Sequence, residues 1–198
     1  ISGLEKIELF QSEKSSTFKR LELNLEVLFE DEYLAVIYKP AGILVSGNKF
    51  VTIANGLTQN LKKSKQSDAV KPQPVHRLDY QTSGLLLVGK TSTALIELGK
   101  LFQNKEIKKT YFAITIGAMN SVGPINFLID EKIAQTKFEV LKTVISERFG
   151  YLNFVKLEPK TGRKHQLRKH VSEIGNPILG DKKYFLEHKV LTGKGLYL

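Results

Sequence analysis

Short runs of apolar and aromatic residues fill the chain after its first two dozen positions and predict a sheet-rich fold. Their β-branched and aromatic content and partial alternation are typical of strands. The predicted strands cover residues 25–30, 33–38, 75–78, 84–90, 109–117, 136–147 and 151–157. The polar pair Asp31-Glu32 between the first two runs indicates a hairpin. Because strands follow one another with few helices between them, the pattern favours the α+β class, with a mixed, largely antiparallel central sheet flanked by helices and loops.

Three segments have apolar residues at helical spacing and predict helices at residues 52–63, 92–102 and 164–174. Ser92 or Thr93 is suited to cap the second helix, and Gly175 is suited to end the third. Residues 62–74 are polar and basic and end in two closely spaced prolines, so we expect a mobile loop there. Residues 195–198 have the pattern of a strand entering the sheet.

The composition indicates one folded unit that makes no use of cysteine. With 198 residues and 41% hydrophobic content, the chain can fill one core. We find no repeat and no domain boundary after residue 25, so residues 1–24 are interpreted as an N-terminal extension and residues 25–198 as one domain. The absence of Cys excludes disulfides, thiolate zinc sites and thiol nucleophiles. No apolar run is long enough to cross a bilayer and no secretory signal is present, so we expect a cytoplasmic protein without membrane contact. The first residue is Ile rather than Met, which suggests that the sequence has been trimmed.

Positive charge is concentrated in two parts of the chain. The formal net charge is +10, yet residues 1–32 hold 4 basic and 8 acidic side chains. Residues 60–110 and 150–198 each hold 10 basic and 4 acidic side chains, a net +6 for each. Such surfaces attract polyanions through counterion release, so nucleic acid is the first partner to consider, ahead of an acidic membrane or an acidic protein. Many proteins carry such a charge for solubility alone, so the charge by itself does not identify a nucleic-acid partner, and sequence motifs are needed.

The most distinctive stretch is HRLDYQTSG at residues 76–84, a charged and hydroxyl-rich bend between two apolar runs. Functional sites are often built on loops of this kind. Local chemistry also offers a plainer interpretation, in which Asp79 bonds its own backbone near Thr82 and Arg77 is an ion-pair partner. His76 would then be an ordinary strand residue.

This stretch continues as HRLDYQTSGLLL and resembles the HRLDxxTSGLLL signature of the RluA-type pseudouridine synthases. Four further segments resemble that family in the same order: VIYKPAGILV (36–45), KKTYFAITIG (108–117), TGRKHQLRKH (161–170) and GNPILGDKKY (175–184). Together the five segments span about residues 25–198. Two departures concern the rim of the site: Tyr80-Gln81 stands where a basic and acidic pair is common, and Phe185 stands where Gly is usual.

The resemblance implies a pseudouridine synthase catalytic domain that isomerises uridines in rRNA or tRNA and needs no metal or cofactor. Asp79 corresponds to the family's catalytic aspartate, Arg168 to the arginine that keeps it ionised, and Tyr111 to the tyrosine that stacks on the target base and assists proton removal. A carboxylate in an apolar bend needs such a cation to stay charged. Other residues are expected to contact RNA or to line the pocket of the flipped base, namely His76, Arg77, Thr82, Arg163, His165 and Gln166, with Lys39 and Lys164 as electrostatic support and Leu179 in the apolar wall. We expect a monomer whose partner is RNA.

Other interpretations of these residues stay open at this level. Without the motif, Arg168 is a surface cation on an amphipathic helix and Tyr111 is an ordinary residue of a half-buried strand. A non-catalytic basic RNA-binding module of the same fold is the main alternative function, although Asp79, Tyr111 and Arg168 are all present. His165 and His170 lie five positions apart with no acidic or Cys partner nearby, which argues against a metal pair. A metal-dependent nuclease lacks a cluster of acidic ligands around the motif.

Overall fold

Four strands from the first half of the chain form an antiparallel sheet. The computed structural model describes residues 21–185 and 195–198. The strands of this sheet are β1 (Glu26–Glu30), β2 (Leu34–Lys39), β3 (Ala69–Pro74) and β4 (Gly84–Thr91), arranged in the order β1-β2-β4-β3. Helix α1 (Ile53–Asn60) lies between β2 and β3 in sequence, and helix α2 (Ser92–Gln103) follows β4.

The alternating apolar positions of β2 and β4 form the core of this sheet. The two strands pair so that Ala35 lies opposite Val88 and Ile37 lies opposite Leu86. All four side chains are fully buried and share a core with apolar residues of α1. Burial of each of the larger side chains contributes about 1.5–3 kcal/mol. A slip of one residue would expose the whole buried set, so this core fixes the register of the strands.

Four later strands form a second antiparallel sheet. They are β5 (Tyr111–Ile116), β6 (Val122–Ile129), β7 (Lys132–Ser146) and β8 (Gly150–Pro159), arranged in the order β5-β8-β7-β6. Helix α3 (Gln166–Glu173) packs Leu167 and Val171 against the buried residues of this sheet. Gly175 follows the helix with a φ of +81°, the left-handed conformation that commonly ends a helix and that its position in the sequence predicts.

Threonine caps begin the first two helices. The side chain of Thr52 accepts a hydrogen bond from the first turn of α1, so the helix itself begins one residue after the predicted start. The hydroxyl of Thr91 accepts from the backbone N–H of Ala94 at 3.1 Å, so the cap of α2 is Thr91 rather than the predicted Ser92 or Thr93. The helices of the described residues contain 8, 12 and 8 residues, and none combines the length and apolar character needed to cross a membrane.

The α+β class and the largely antiparallel pairing are confirmed, but the strands form two four-stranded sheets rather than one central sheet. Strand β6 was not predicted, because Gly123, Pro124 and Asn126 interrupt its apolar pattern. β6 lies at the edge of its sheet, where a proline is tolerated because, among the residues that the structure describes, one side of the strand has no ladder partner.

The predicted mobile loop at residues 62–74 and the predicted strand at residues 75–78 are wrong in their boundaries. Residues 69–74 form β3, and the next four residues have no regular structure. The two prolines of β3 argued against a strand, yet β3 is also an edge strand and pairs only with β4 among the described residues. The bend that carries the motif therefore begins directly after an edge strand.

The last described residues, 195–198, connect the two sheets. Tyr197 accepts a hydrogen bond from the backbone N–H of Ile114 at 3.1 Å and donates one to a carbonyl of the loop after α3 at 3.1 Å. The carbonyl of Leu198 accepts from the N–H of Ser83 at 3.3 Å, in the bend before β4. The strand predicted here is thus a short hydrogen-bonded segment that joins the bend of the first sheet to the second sheet.

Candidate active site

A cleft of about 610 Å³ opens where the two sheets meet. One wall consists of residues 75–82, which precede β4, together with the end of α2. The other wall consists of Tyr111 of β5 and residues 159–168, which lead from β8 into α3. Leu198 lines the cleft as well. The volume falls within the range of about 300–1,000 Å³ that is typical of ligand pockets.

Asp79 lies in the bend before β4 and turns its carboxylate towards this cleft. The bend is closed by a hydrogen bond from the N–H of Thr82 to the carbonyl of Asp79, at 3.1 Å. The side chain is 21% exposed, so a ligand in the cleft can reach it. Two basic side chains from the second half of the chain lie at the same distance: Nη1 of Arg168 is 3.9 Å from Oδ2, and Nε2 of His165 is 3.9 Å from Oδ1. The structure therefore brings Asp79 and Arg168 together, at ion-pair distance rather than in a hydrogen bond.

The closer partner of Arg168 is Asp181, a residue that the sequence pattern did not single out. Nε of Arg168 donates to one carboxylate oxygen at 2.7 Å and Nη2 donates to the other at 2.8 Å, and both side chains are buried. Burial lowers the pKa of Arg168, but the hydrogen bonds and charge of Asp181 raise it by more. Burial likewise raises the pKa of Asp181, and the bonds from Arg168 and two backbone N–H groups bring it below its usual range. Asp181 therefore holds the guanidinium that faces Asp79.

Lys39, at the end of β2, is fully buried and holds the bend that carries Asp79. Its Nζ donates to the carbonyl of Thr82 at 2.7 Å and to the carbonyls of Pro40 and Tyr80 at 3.0 and 3.4 Å. Burial lowers the pKa of Lys39 from 10.5 to about 8, and the charge of Asp79 opposes part of this shift. The ammonium group is thus directed at three carbonyls of the bend, so its electrostatic support of phosphate contacts, which stays a prediction, would act without direct contact. The side chain of Thr82 is buried as well.

His165 lines the cleft at the start of α3 and is held by Tyr184, a second residue that the sequence pattern did not single out. Nδ1 of His165 is 3.0 Å from the hydroxyl of Tyr184. The guanidinium of Arg168 lies over the ring of Tyr184, 5.1 Å from its centroid, which favours a cation there. Tyr184 thus fixes both basic residues that face Asp79.

Tyr111 is the first residue of β5 and lies opposite Leu157 of β8. It is partly buried, lines the cleft and packs against the cores of both sheets. Burial raises the pKa of the phenol, and the nearby charge of Asp79 raises it further. The three residues that the motif assigns to catalysis therefore line the same cleft, although they come from three different elements.

His76 and Gln166 line the cleft but use their polar atoms inside the protein. The ring of His76 stacks on Phe102 at 4.8 Å, and its Nε2 accepts a hydrogen bond from the N–H of Leu87 at 3.0 Å. Burial lowers the pKa of His76 to about 4, so it is neutral at neutral pH. Gln166 is buried, with its amide oxygen accepting from Thr161 and its amide nitrogen donating to the Gln135 carbonyl. These polar atoms therefore stabilise the protein's own fold, and RNA contact by His76 and Gln166 stays a prediction.

Leu179 does not line the cleft. It is buried with Ile116 and Phe149 in a separate small cluster of the second sheet. The apolar residues that line the cleft include Leu78 and Leu167, and a place for Leu179 in the wall near the base stays a prediction. Leu167 follows from the helical stripe that the sequence shows, whereas the position of Leu179 depends on how the loop after α3 returns to the sheet.

Arg77, Arg163 and Lys164 are exposed at the rim of the cleft, as expected of residues that contact phosphates. Arg77 also borders a neighbouring groove of about 560 Å³. Arg163 is oriented by a hydrogen bond from its Nε to the carbonyl of Ile133 at 3.1 Å. The rim can therefore offer positive charge to a polyanion that passes over the cleft.

Three further lysines extend this rim and were not predicted. Lys105, Lys109 and Lys160 line both the cleft and a side cavity of about 260 Å³. Lys109 is partly buried, and burial lowers its pKa. Within residues 21–185 and 195–198, none of the three forms an ion pair with a carboxylate. A phosphate at this side of the cleft would supply the missing counter-charge.

A metal centre has little structural support in the part of the chain that is described. No group of three or more His, Cys, Asp or Glu side chains could hold an ion among these residues. His170 is buried, with Nδ1 2.9 Å from the hydroxyl of Thr136 and its ring edge-on to Phe127, whereas His165 lines the cleft. The structure therefore does not bring the two histidines to one site. Independence from a metal or cofactor stays a prediction.

Comparison with known proteins agrees with the family resemblance of the motif. Residues 33–173 match the family described as RNA pseudouridylate synthase. The chain is 32% identical over 191 residues to ribosomal large subunit pseudouridine synthase D of Nitrosomonas europaea, covering 88% of the chain and 54% of that relative. It is 36% identical over 184 residues to ribosomal large subunit pseudouridine synthase C of Pasteurella multocida. That alignment covers 84% of the chain and 54% of the relative.

A solved structure has a similar fold. Human RNA pseudouridylate synthase domain containing 4 superposes with a TM-score of 0.67 and 29% identity, over 83% of this chain and 70% of that one. The chain spans slightly more than half the length of the two bacterial relatives. The family match covers well over half of the chain, and it includes the bend with Asp79, Tyr111 and the helix with Arg168. The chain therefore belongs to the RNA pseudouridylate synthase family.

Proposed function

We propose that this chain isomerises uridine to pseudouridine in RNA, with Asp79 as the catalytic carboxylate. The observation that carries the proposal is the position of Asp79, which faces a cleft shared by both sheets and lies 3.9 Å from the guanidinium of Arg168. Tyr111 lines the same cleft and offers an aromatic face, the group on which unstacked RNA bases are held. A uridine turned out of its RNA would enter between these side chains.

The reaction needs one carboxylate and no redox partner. The bond between N1 of uracil and C1′ of the sugar breaks, the base turns, and C5 forms a new bond to C1′. A carboxylate assists this either as a nucleophile or as a base that removes a sugar proton. Asp79 is suited to both roles, because it is reachable from the cleft and a buried ion pair holds a cation beside it. We propose that no metal or cofactor takes part.

Water must be kept from the detached base, because hydrolysis would end the reaction early. The apolar residues Leu78 and Leu167 line the cleft beside the catalytic groups. Tyr111 closes part of the same wall, and an RNA lying over the basic rim would cover the opening. The proposed water exclusion thus depends on both the protein and its substrate.

The substrate we propose is ribosomal RNA, with transfer RNA as the alternative. The two bacterial relatives named above carry the designation ribosomal large subunit pseudouridine synthase. The rim formed by Arg77, Arg163 and Lys164 suits the phosphate backbone of either RNA. We further propose that the protein acts as a monomer in the cytoplasm.

Release of label from RNA carrying tritium at C5 of uridine tests the proposal. We expect the unmodified protein to release label from ribosomal RNA and Asp79→Asn to release none while it still binds RNA. Asp130→Asn is a matched control, because Asp130 is an exposed carboxylate on the turn between β6 and β7. Binding that depends on salt, without label release by the unmodified protein, would instead support the non-catalytic RNA-binding module.

A further inference from the structure

His165 lies beside Asp79, and the proposed reaction gives it no role. Its side chain is 18% exposed, and its Nε2 is 3.9 Å from Oδ1 of Asp79. The other ring nitrogen, Nδ1, is 3.0 Å from the hydroxyl of Tyr184, which does not line the cleft. The ring is therefore fixed through one nitrogen and presents the other nitrogen to the reaction site.

We propose that His165 accepts the proton that leaves C5 of the rotated uracil, an inference that rests on the proposed function. Once C5 has joined C1′, it lies next to the part of the sugar on which Asp79 acts. The proton on C5 is therefore close to the neighbours of the Asp79 carboxylate. Arg168 is at the same distance, but a guanidinium stays protonated and has no acceptor atom. Of these two neighbours, only the imidazole can take up a proton.

The surroundings of His165 keep it in the neutral form that a base requires. Five charged or titratable groups face the ring. Asp79 belongs to the bend, Lys164 to the turn before α3 and Arg168 to α3 itself. Lys183 and Tyr184 belong to the loop after α3. Burial lowers the pKa of His165; the charge of Asp79 raises it, and the three cations lower it again. The net direction is downward, so the imidazole is unprotonated at neutral pH.

Tyr111, the other candidate for this proton, is less suited to accept it. Burial raises the pKa of the phenol, and the charge of Asp79 raises it further. The phenol therefore carries its own proton at neutral pH. It can stack on the base in that state, but it has no phenolate with which to remove a proton. The two residues are thus assigned different tasks.

The backbone of His165 gives a second, independent observation. Its φ is +55°, in the left-handed region that non-glycine residues seldom adopt, and the side chain makes no capping hydrogen bond to α3. A capping role does not explain a histidine at this position. Strained residues of this kind are common at functional sites, where the surroundings hold a side chain in place.

The step balances without an outside oxidant or reductant. After C5 has bonded to C1′, the C5–H bond breaks and its proton goes to the lone pair of Nε2. The electron pair of that bond forms the C5=C6 double bond, and the C6=N1 π pair returns to N1, which takes up a proton from water. The imidazolium, stabilised by Asp79 and by the Tyr184 hydroxyl, then releases the C5 proton to water. The net result is the isomerisation, with loss of the C5 label to solvent.

An isotope experiment separates this step from the others. Single-turnover rates are compared on transcripts of a ribosomal RNA that the unmodified protein converts, made with hydrogen or deuterium at C5 of uridine. We expect His165→Gln to slow conversion about 100-fold, a typical contribution of general base catalysis. We also expect deuterium to slow this variant by a larger factor than the unmodified protein, because loss of the C5 proton becomes the slowest step.

Tyr111→Phe is the matched variant. Phe keeps the aromatic face and removes only the hydroxyl, so any loss of rate in this variant should leave the isotope effect at the value of the unmodified protein. An enlarged isotope effect in Tyr111→Phe and an unchanged one in His165→Gln would overturn the inference. Failure of the unmodified protein to convert any RNA would instead refute the proposed function, so the two failures are distinguishable.

Tyr184→Phe extends the test to a protein that keeps His165. This variant retains the ring under Arg168 but loses the hydroxyl bonded to Nδ1. Without that partner the imidazolium is less stable, so the rise of kcat/KM with pH should move to lower pH. An unchanged pH profile in Tyr184→Phe would contradict the role of His165 as a base, whether or not His165→Gln folds.

Discussion

Neutralising Asp181 should destabilise the protein strongly, although Asp181 does not line the cleft. Its carboxylate accepts four hydrogen bonds: from Nε and Nη2 of Arg168 at 2.7 and 2.8 Å, and from the N–H groups of Lys183 and Tyr184 at 2.8 and 3.1 Å. The side chain is fully buried, and that of Arg168 is 5% exposed. Asp181→Asn keeps the size but replaces one acceptor oxygen by an NH₂ group, which faces other donors. The variant therefore leaves a buried guanidinium without its main counter-charge.

The expected loss can be worked out from this geometry. Removing one partner of a buried ion pair costs about 3–5 kcal/mol. Asp79 lies 3.9 Å from Nη1 of Arg168 and can share part of the charge, so we expect a value near the lower limit, about 3 kcal/mol. With a urea m-value of about 2 kcal/mol/M, this corresponds to a midpoint lower by about 1.5 M.

The pH dependence of this loss has a definite sign. The folded state lowers the pKa of Asp181, so its stabilising contribution is present above the unfolded pKa of about 4 and is lost as pH falls towards the folded pKa. The difference between the unmodified protein and Asp181→Asn should therefore be full at pH 7 and should shrink below about pH 4.

Urea unfolding followed by circular dichroism measures both effects. Asp130→Asn is the control, because Asp130 pairs with Lys169 of the same helix as Arg168 at 2.9 Å but is 68% exposed. We expect that control to leave the midpoint unchanged within error, since exposed pairs contribute little. Equal midpoints for Asp181→Asn and Asp130→Asn would refute the argument that burial gives the Arg168 pair its strength.

Three further outcomes are expected. Lys39→Met should destabilise the protein by about 1–3 kcal/mol, because the buried carbonyl of Thr82 and the partly buried carbonyls of Pro40 and Tyr80 lose their donor. The variant should also abolish a rise in stability between pH 8 and 10.5 that follows from the lowered pKa of Lys39, and urea titrations at both pH values check this. Alanine at Lys105, Lys109 and Lys160 should weaken RNA binding. It should also reduce the slope of log K against log salt by about 0.7 for each phosphate that the protein no longer neutralises. An unchanged slope in filter-binding titrations would exclude phosphate contacts by these three lysines. Arg168→Ala should reduce turnover strongly while RNA binding stays measurable, and near-normal single-turnover rates would rule out its role beside Asp79.

The sequence predicts β1, β2 and β4 of the first sheet well, but it predicts the proline-containing edge strands β3 and β6 poorly. Alternating burial in β2 and β4 follows from apolar side chains at every second position, which is a local signal. The edge strands β3 and β6 contain prolines, whose effect depends on whether the strand has one neighbour or two. That number is a property of the assembled sheet. For the same reason the local pattern could not distinguish one central sheet from two.

The contacts of the candidate site were also predicted only in part. The motif predicts that Asp79 and Arg168 come together, and the structure places them 3.9 Å apart. The shorter bond from Arg168 to Asp181 was not predicted, because a single aspartate in a loop has no periodic pattern that indicates burial. The burial of Lys39 was missed for a related reason: a lysine beside a turn is usually exposed, and only the folded bend supplies the carbonyls that bind its ammonium group.

The assignment of catalytic groups to different sheets makes the packing between the sheets part of the site. Asp79 is fixed to the first sheet through Lys39, whereas Arg168 and Tyr111 are fixed to the second. Tyr111 packs against both cores, and the carbonyl of Leu198 accepts a hydrogen bond from the bend. A displacement of about 1 Å between reacting groups can cost about 100-fold in rate. Substitutions that loosen this packing should therefore lower activity before they lower the stability of either sheet, because each core keeps its own buried side chains.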